Sequence, residues 1–251
     1  MSMQARTGMS TTIYDGKTNF GKDSPYLQNN FVIELRREIA MRFLKHRTFG
    51  NVLDVGCGDG RISLEFMDKA KLAIMVDASP HMIEAAFRNL EERGLRHVET
   101  FCYNFEHESG IPEMSRYDLL ICTGVLAHVE NPVAVVDKLL SLASEQSLIL
   151  LQNTDAGHPY TLMLNSLKKI LRLIGFSNKK HNAVRTGELI RHLSTAGFAL
   201  KERCNYVSSF PLIGRMLSKR QKYGINRVIS GENGKSKLQF LGNESLLLFE
   251  R

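Results

Sequence analysis

The stretch NVLDVGCGDGRISL, residues 51–64, decides the fold. An apolar run ends in three alternating glycines, Gly56, Gly58 and Gly60. A glycine-rich turn leaving a buried strand lets a ligand approach the backbone closely, as nucleotide-binding folds require. The dinucleotide pattern Gly-x-Gly-x-x-Gly would place its last glycine at position 61. That position is Arg61, and the third glycine arrives one residue early. Asp54 also sits inside the strand, two positions before the first glycine. The pattern points to a nucleotide-like ligand other than a dinucleotide.

Outward from this turn, strand and helix signals alternate. LAIMVDAS is a second strand ending in an acid, Asp77. SPHMIEAAFRNLEERG is a helix with Ser79 as cap, Pro80 at its first position and Gly94 as its stop. HVETFCYNF and YDLLICTGV read as strands three and four, joined by a short connection. The helix NPVAVVDKLLSLA and the strand QSLILLQNT follow. A helix precedes the glycine turn, with Phe31, Ile33, Leu35, Ile39, Met41 and Phe43 threading polar positions, and GRISLEFMDKA is expected to open another after it. Such alternation gives a doubly wound, mostly parallel α/β sheet with helices on both faces.

The C-terminal part departs from this rhythm. HPYTLMLNSLKKILRLIGF reads as an apolar and basic cap helix, and RTGELIRHLSTAGF as another, with Thr186 as cap and Gly197 as stop. ALKERCNYV and ESLLLFE are strand-like, and the residues between them read as a basic, loop-rich insert. Residues 156–237 hold sixteen Lys and Arg against three acids, whereas the whole 251-residue chain has a net charge of +7. A mildly acidic body therefore carries a basic segment, which speaks about partners more than about fold. Cys57, Cys102, Cys122 and Cys204 show no metal-ligand spacing, and buried thiols in a reducing cytoplasm are expected. The absence of a long apolar run argues against a transmembrane helix and supports a cytoplasmic location.

The set VLDVGCGDG, MVDAS and YDLLICTGVLAHVENP resembles the class I S-adenosylmethionine-dependent methyltransferases, closely over about residues 50–153. LAHVENP is similar to the subgroup acting on small molecules, including the ubiquinone-pathway O-methyltransferases. The resemblance implies a seven-stranded sheet with an antiparallel last strand. The polar N-terminus reads as a mobile tail over 1–24, ahead of a methyltransferase domain over 25–251 whose cap insertions, at about 156–185 and 208–237, carry no motif of the family. The cofactor would be S-adenosylmethionine. Gly56, Cys57 and Gly58 would bring backbone amides to its methionine part, and Asp54 would receive its ammonium. Asp77 would take the ribose hydroxyls, Ala78 and Met82 would flank the adenine, and Asn104 and Phe105 would meet the adenine edge. Thr123, Gly124 and Val125 would line the wall facing the methyl group.

His128, one turn beyond strand four, is a candidate general base for a hydroxyl acceptor. His158, after strand five, is the rival. Asn153 and Asp155 share that loop, but strand four offers Thr123 where a metal site wants an acid, so no metal is expected. The basic insert suits a small anionic or lipophilic acceptor, an acidic carrier protein or an anionic membrane surface. Nucleic acid would want more interleaved aromatics than Tyr206, Phe210 and Tyr223. N- or C-methylation, RNA methylation and a catalytically silent scaffold stand as alternatives. Sequence does not define the oligomeric state.

Overall fold

The computed structural model describes residues 6–7, 30–108, 116–163, 166, 183–207, 216–231 and 234–251. The elements run β1 (Arg6–Thr7), α1 (Phe31–Phe43), β2 (Phe49–Val55), α2 (Leu64–Met67), β3 (Ala70–Asp77), α3 (Pro80–Arg93), β4 (Val98–Cys102) and β5 (Tyr117–Cys122). Then come α4 (Pro132–Ser141), β6 (Ala143–Thr154), α5 (Thr186–Thr195), β7 (Ala199–Tyr206), α6 (Lys219–Ser230), a 3₁₀ helix (Lys237–Leu241) and β8 (Glu244–Glu250).

One sheet holds all strands in the order β1-β4-β3-β2-β5-β6-β8-β7. Only β8 is antiparallel to its neighbours. The expected seven strands are thus present. Arg6–Thr7, inside the expected tail, adds a two-residue parallel strand against Phe101 and Cys102. Alternate strand residues feed the two faces, because successive side chains of a strand point oppositely. Val52 and Met75 pack with α1 and α3 on one face. Leu53, Val55, Ile74 and Val76 pack with α4 and α5 on the other. The chain crosses from β4, beyond β3, to β5 on the far side of β2. The carboxyl ends of β2 and β5 therefore form the switch point at which open α/β sheets bind ligands.

Several expected boundaries hold for local chemical reasons. Ser79 accepts a bond from Met82 N, Pro80 opens α3, and Gly94 closes it in the left-handed region at φ 68°. Three expectations change. The helix after the glycine turn shrinks to the four residues of α2, because the turn consumes the residues before it. Thr186 is not a cap: Arg185 holds that position, and Asp155 Oδ1 instead accepts from Thr186 N at 3.1 Å. Among its described residues the insert between β7 and β8 is not mainly loop, since Ser218 and Gln221 form a reciprocal capping box that starts α6. Buried Asn226 fixes α6 to the end of β7, accepting from Val207 N at 2.8 Å and donating to Val207 O at 2.9 Å. Of the expected cap helix, residues 159–163 are helical. Its stripe of Leu164, Leu167, Leu171 and Ile174, with Lys168, Lys169 and Arg172, lies outside the described residues.

Candidate active site

The cleft begins with the glycine turn. Gly56 and Gly58 adopt φ +67° and +58°, values that disfavour a side chain. A Cβ on Gly56 would stand 2.2 Å from Val125 Cγ2, so the turn packs tightly on the loop after β5. A Cβ on Gly58 would meet nothing within 4 Å among the described residues, so this glycine faces open space. The three amides expected to serve a ligand are committed within the protein. Gly56 N and Cys57 N donate to Val76 O at 2.8 and 3.0 Å, and Gly58 N donates to Asp77 Oδ2 at 2.9 Å. The turn thus presents a shaped backbone surface.

Asp77 ends β3 beside this surface. Its other oxygen accepts from Ser79 N at 2.9 Å. Each carboxylate oxygen therefore keeps acceptor capacity for a hydroxyl. Burial raises the pKa of Asp77, against the lowering effect of both backbone bonds. Cys57 also lines the cleft, and burial followed by the charges of Asp77, Asp54 and Asp59 pushes its thiol well up, leaving it a weak nucleophile.

The cleft gathers Gly56, Cys57, Gly58, Asp77, Ala78, Met82, Asn104, Phe105, Thr123, Gly124, Val125 and His128. It spans about 1030 Å³ of space, open solvent included. Asp54 and His158 are not among its lining residues. Asp54 is 2% exposed, behind the glycine turn. Burial lifts its pKa to about 7, with a Ser63 hydrogen bond opposing and the Asp77 charge adding to the rise. His158 Nδ1 accepts from Tyr160 N at 3.2 Å, which leaves the other nitrogen to donate to Phe240 O at 3.0 Å. Both ring nitrogens are thus occupied away from the cleft. Asn153 likewise spends its amide on Val184 O and Thr186 Oγ1, each at 3.0 Å.

Asn104 also serves its own loop. Its side-chain oxygen accepts from Glu106 N at 3.2 Å, shaping the loop after β4 and leaving one lone pair. That loop is tied to α4 at two places. The Glu106 carboxylate accepts from Glu130 N at 3.0 Å and Asn131 N at 2.6 Å, the amides of the cap of α4 and of the residue before it. Lys138 Nζ donates to Phe105 O at 2.8 Å and Glu108 O at 2.5 Å, and stands 4.5 Å from the centre of the Phe105 ring.

Sequence reasoning missed Arg36, which lines the cleft at 8% exposure. Its guanidinium donates to Tyr206 Oη and Glu244 Oε2, both at 2.7 Å. Burial opposes its charge, but those two partners hold its pKa above the usual arginine value. A visible signal existed: Arg36 lies between Ile33 and Ile39 on the stripe of α1 that must be buried.

A methyltransferase-domain family profile matches residues 29–203. The chain belongs to this methyltransferase family. It is a class I S-adenosylmethionine-dependent methyltransferase. A ubiquinone biosynthesis O-methyltransferase of Glaesserella parasuis serovar 5 is 23% identical over 188 residues, covering 69% of this chain and 77% of that protein. The fold also matches a magnesium protoporphyrin IX methyltransferase from Synechocystis with bound S-adenosylhomocysteine, with TM-score 0.58 and 19% identity over 88% of this chain and 83% of the other. The N-methyltransferase NodS of Bradyrhizobium japonicum, also with S-adenosylhomocysteine, gives TM-score 0.58 at 16% identity, covering 91% and 92%. The cleft fits S-adenosylmethionine. The open face of Gly58 leaves room where a side chain would intrude, and the buried Asp54 and half-buried Asp77 carboxylates favour a cationic ligand.

Proposed function

We propose that this methyltransferase methylates a hydroxyl of a small-molecule acceptor, with His128 as general base or acceptor-positioning group. The observation that carries the reading is the contrast between the two histidines. His128 lines the cleft beside the Thr123–Gly124–Val125 wall, whereas His158 is engaged elsewhere. The name of the Glaesserella relative supports an oxygen acceptor. When bound, S-adenosylmethionine supplies an activated methyl group. The chain must then align the acceptor lone pair, exclude water and receive the hydroxyl proton.

The remaining roles follow from placement. Asp77 receives the ribose hydroxyls, Ala78 and Met82 flank the adenine, and Phe105 closes its edge with the remaining lone pair of Asn104. Asp54 acts through charge rather than contact, favouring the cofactor's positive end. Arg36 receives a carboxylate. An acceptor that is anionic, lipophilic or delivered on a carrier suits the basic segment.

Calorimetry for cofactor binding, followed by methyl transfer to a panel of phenols and amines, tests this reading. His128→Ala should lower kcat at least about tenfold, since general-base help is typically worth about 10²–10⁴. Cofactor affinity should stay nearly intact, and the acidic limb of the wild-type rate profile should vanish in the variant. Full activity of His128→Ala on the best acceptor would remove the histidine base. Turnover of amines alone would move the assignment to N-methylation, where a neutral nucleophile needs no base.

A further inference from the structure

We infer that the surface formed by the end of α6, the 3₁₀ helix and the turn after β6 docks this enzyme on an anionic lipid surface. Topology first puts these pieces at one edge. Thr154 at the end of β6 and Tyr206 at the end of β7 both register with Glu244 at the start of β8. The segments leaving or entering those three points therefore depart from the carboxyl edge, where the cofactor cleft also opens.

Hydrogen bonds then join the pieces into one surface. His158 donates to Phe240 O at 3.0 Å, and Gln239 Nε2 donates to Ser230 O at 3.1 Å. Gln239 Oε1 accepts from Asn205 N at 3.0 Å. The 3₁₀ helix is thus fixed to β7, to α6 and to the turn after β6.

Its side chains are unusual for a water-facing surface. Nine large apolar side chains are exposed among the described residues, and seven of them lie between residues 162 and 241. Phe240 is 68% exposed and Val228 62%, and Leu162, Met163, Leu238 and Leu241 join them. Exposed apolar groups concentrated in one region mark an interaction site. The charge around them has one sign. From Met216 to Asn243 the sequence has six Lys and Arg against one acid. Arg227, Lys235 and Lys237 are exposed beside these apolar groups.

Single apolar side chains protruding among lysines and arginines match the physics of an anionic interface: the cations meet headgroups while the apolar groups enter the acyl boundary. Among the described residues no helix is long and apolar enough to cross a membrane, so the contact is peripheral.

This goes beyond the reading of the cleft, and vesicle binding is measured without acceptor, so either can fail alone. The test is flotation of the full chain with phosphatidylcholine vesicles, with and without phosphatidylglycerol. Binding to the phosphatidylglycerol vesicles alone is expected. Phe240→Ser/Leu241→Ser keeps every charge and alters exposed positions, and it should lower vesicle binding at least tenfold with unchanged melting and cofactor affinity. Lys235→Glu/Lys237→Glu should do the same. Failure of the wild type to float with anionic vesicles overturns the proposal. Undiminished flotation of the serine variant also overturns it, because charge adhesion alone would then suffice. Binding of soluble polyglutamate but not vesicles would assign the surface to an acidic protein and equally overturn it.

Discussion

Asp54 is a buried carboxylate and Asp77, on the adjacent strand, a half-buried one, and desolvation raises the pKa of both. The consequence for stability has a definite sign. Asp54 rises from 3.8 to about 7 on folding, so the folded protein without cofactor holds a proton that the unfolded chain has released. Its contribution to stability is fully present below about pH 4 and lost as pH rises through about 7. Asp54→Asn removes that slope. The melting temperature of the cofactor-free wild type, relative to the variant, should therefore decline between pH 5 and 8. The cofactor has the opposite preference, because its cationic end favours ionised carboxylates. Wild-type affinity for S-adenosylmethionine should climb over the same range, while Asp54→Asn should bind weakly with a flatter profile. Parallel profiles in the two proteins would remove Asp54 from this role.

At the scale of elements, the loop after β4 depends on α4. Lys138 holds two of the loop's carbonyls and the Tyr103 hydroxyl, and Glu106 holds the two amides just before α4 from the other side. The segment between β5 and α4 carries His128, so this clamp sets the Phe105 and His128 walls of the cleft in register. Lys138→Met strands carbonyls that had a charged donor, a loss of about 1.5–3 kcal/mol for such a bond. Cofactor affinity should fall by roughly tenfold or more, with kcat at saturating cofactor changed far less; equilibrium binding and saturation kinetics separate the two. The strands and the glycine turn were legible because burial on both faces writes continuous apolar runs, and because few residues other than glycine accept a left-handed turn. The clamp was not legible, since a lysine in an amphipathic helix looks like solvated surface until its partners are known. Helix α6 was hidden for a related reason: its stability comes from the capping box and from Asn226 meeting Val207, not from an apolar stripe. Arg36 was missed because its partners lie 170 and 208 residues away in sequence.

Across the whole molecule, one buried polar network ties the first helix to the last strands and to the cleft. Arg36 on α1 meets Tyr206 on β7 and Glu244 on β8, with side-chain exposures of 10% and 8% for Arg36 and Glu244. Gln152 on β6 donates to the same Glu244 at 2.9 Å and accepts from Gly124 N at 2.8 Å. A Cβ at Gly124 would stand 3.0 Å from Arg36 Nη1, so the arginine backs directly onto the cleft wall. Removing one partner of a buried ion pair leaves an uncompensated charge and typically costs about 3–5 kcal/mol. Glu244→Ala should therefore lower the melting temperature by roughly 10 °C in a chain of this size. Replacing both charges with apolar groups of similar volume removes that penalty. Arg36→Met/Glu244→Leu should recover most of the lost stability, yet lack the guanidinium at the cleft. If Arg36 receives a ligand carboxylate, the double variant will melt near the wild type and still bind S-adenosylmethionine at least tenfold more weakly. Wild-type affinity in that variant would confine Arg36 to holding the fold, and a double variant no more stable than Glu244→Ala would show that the stranded charge was not the source of the loss.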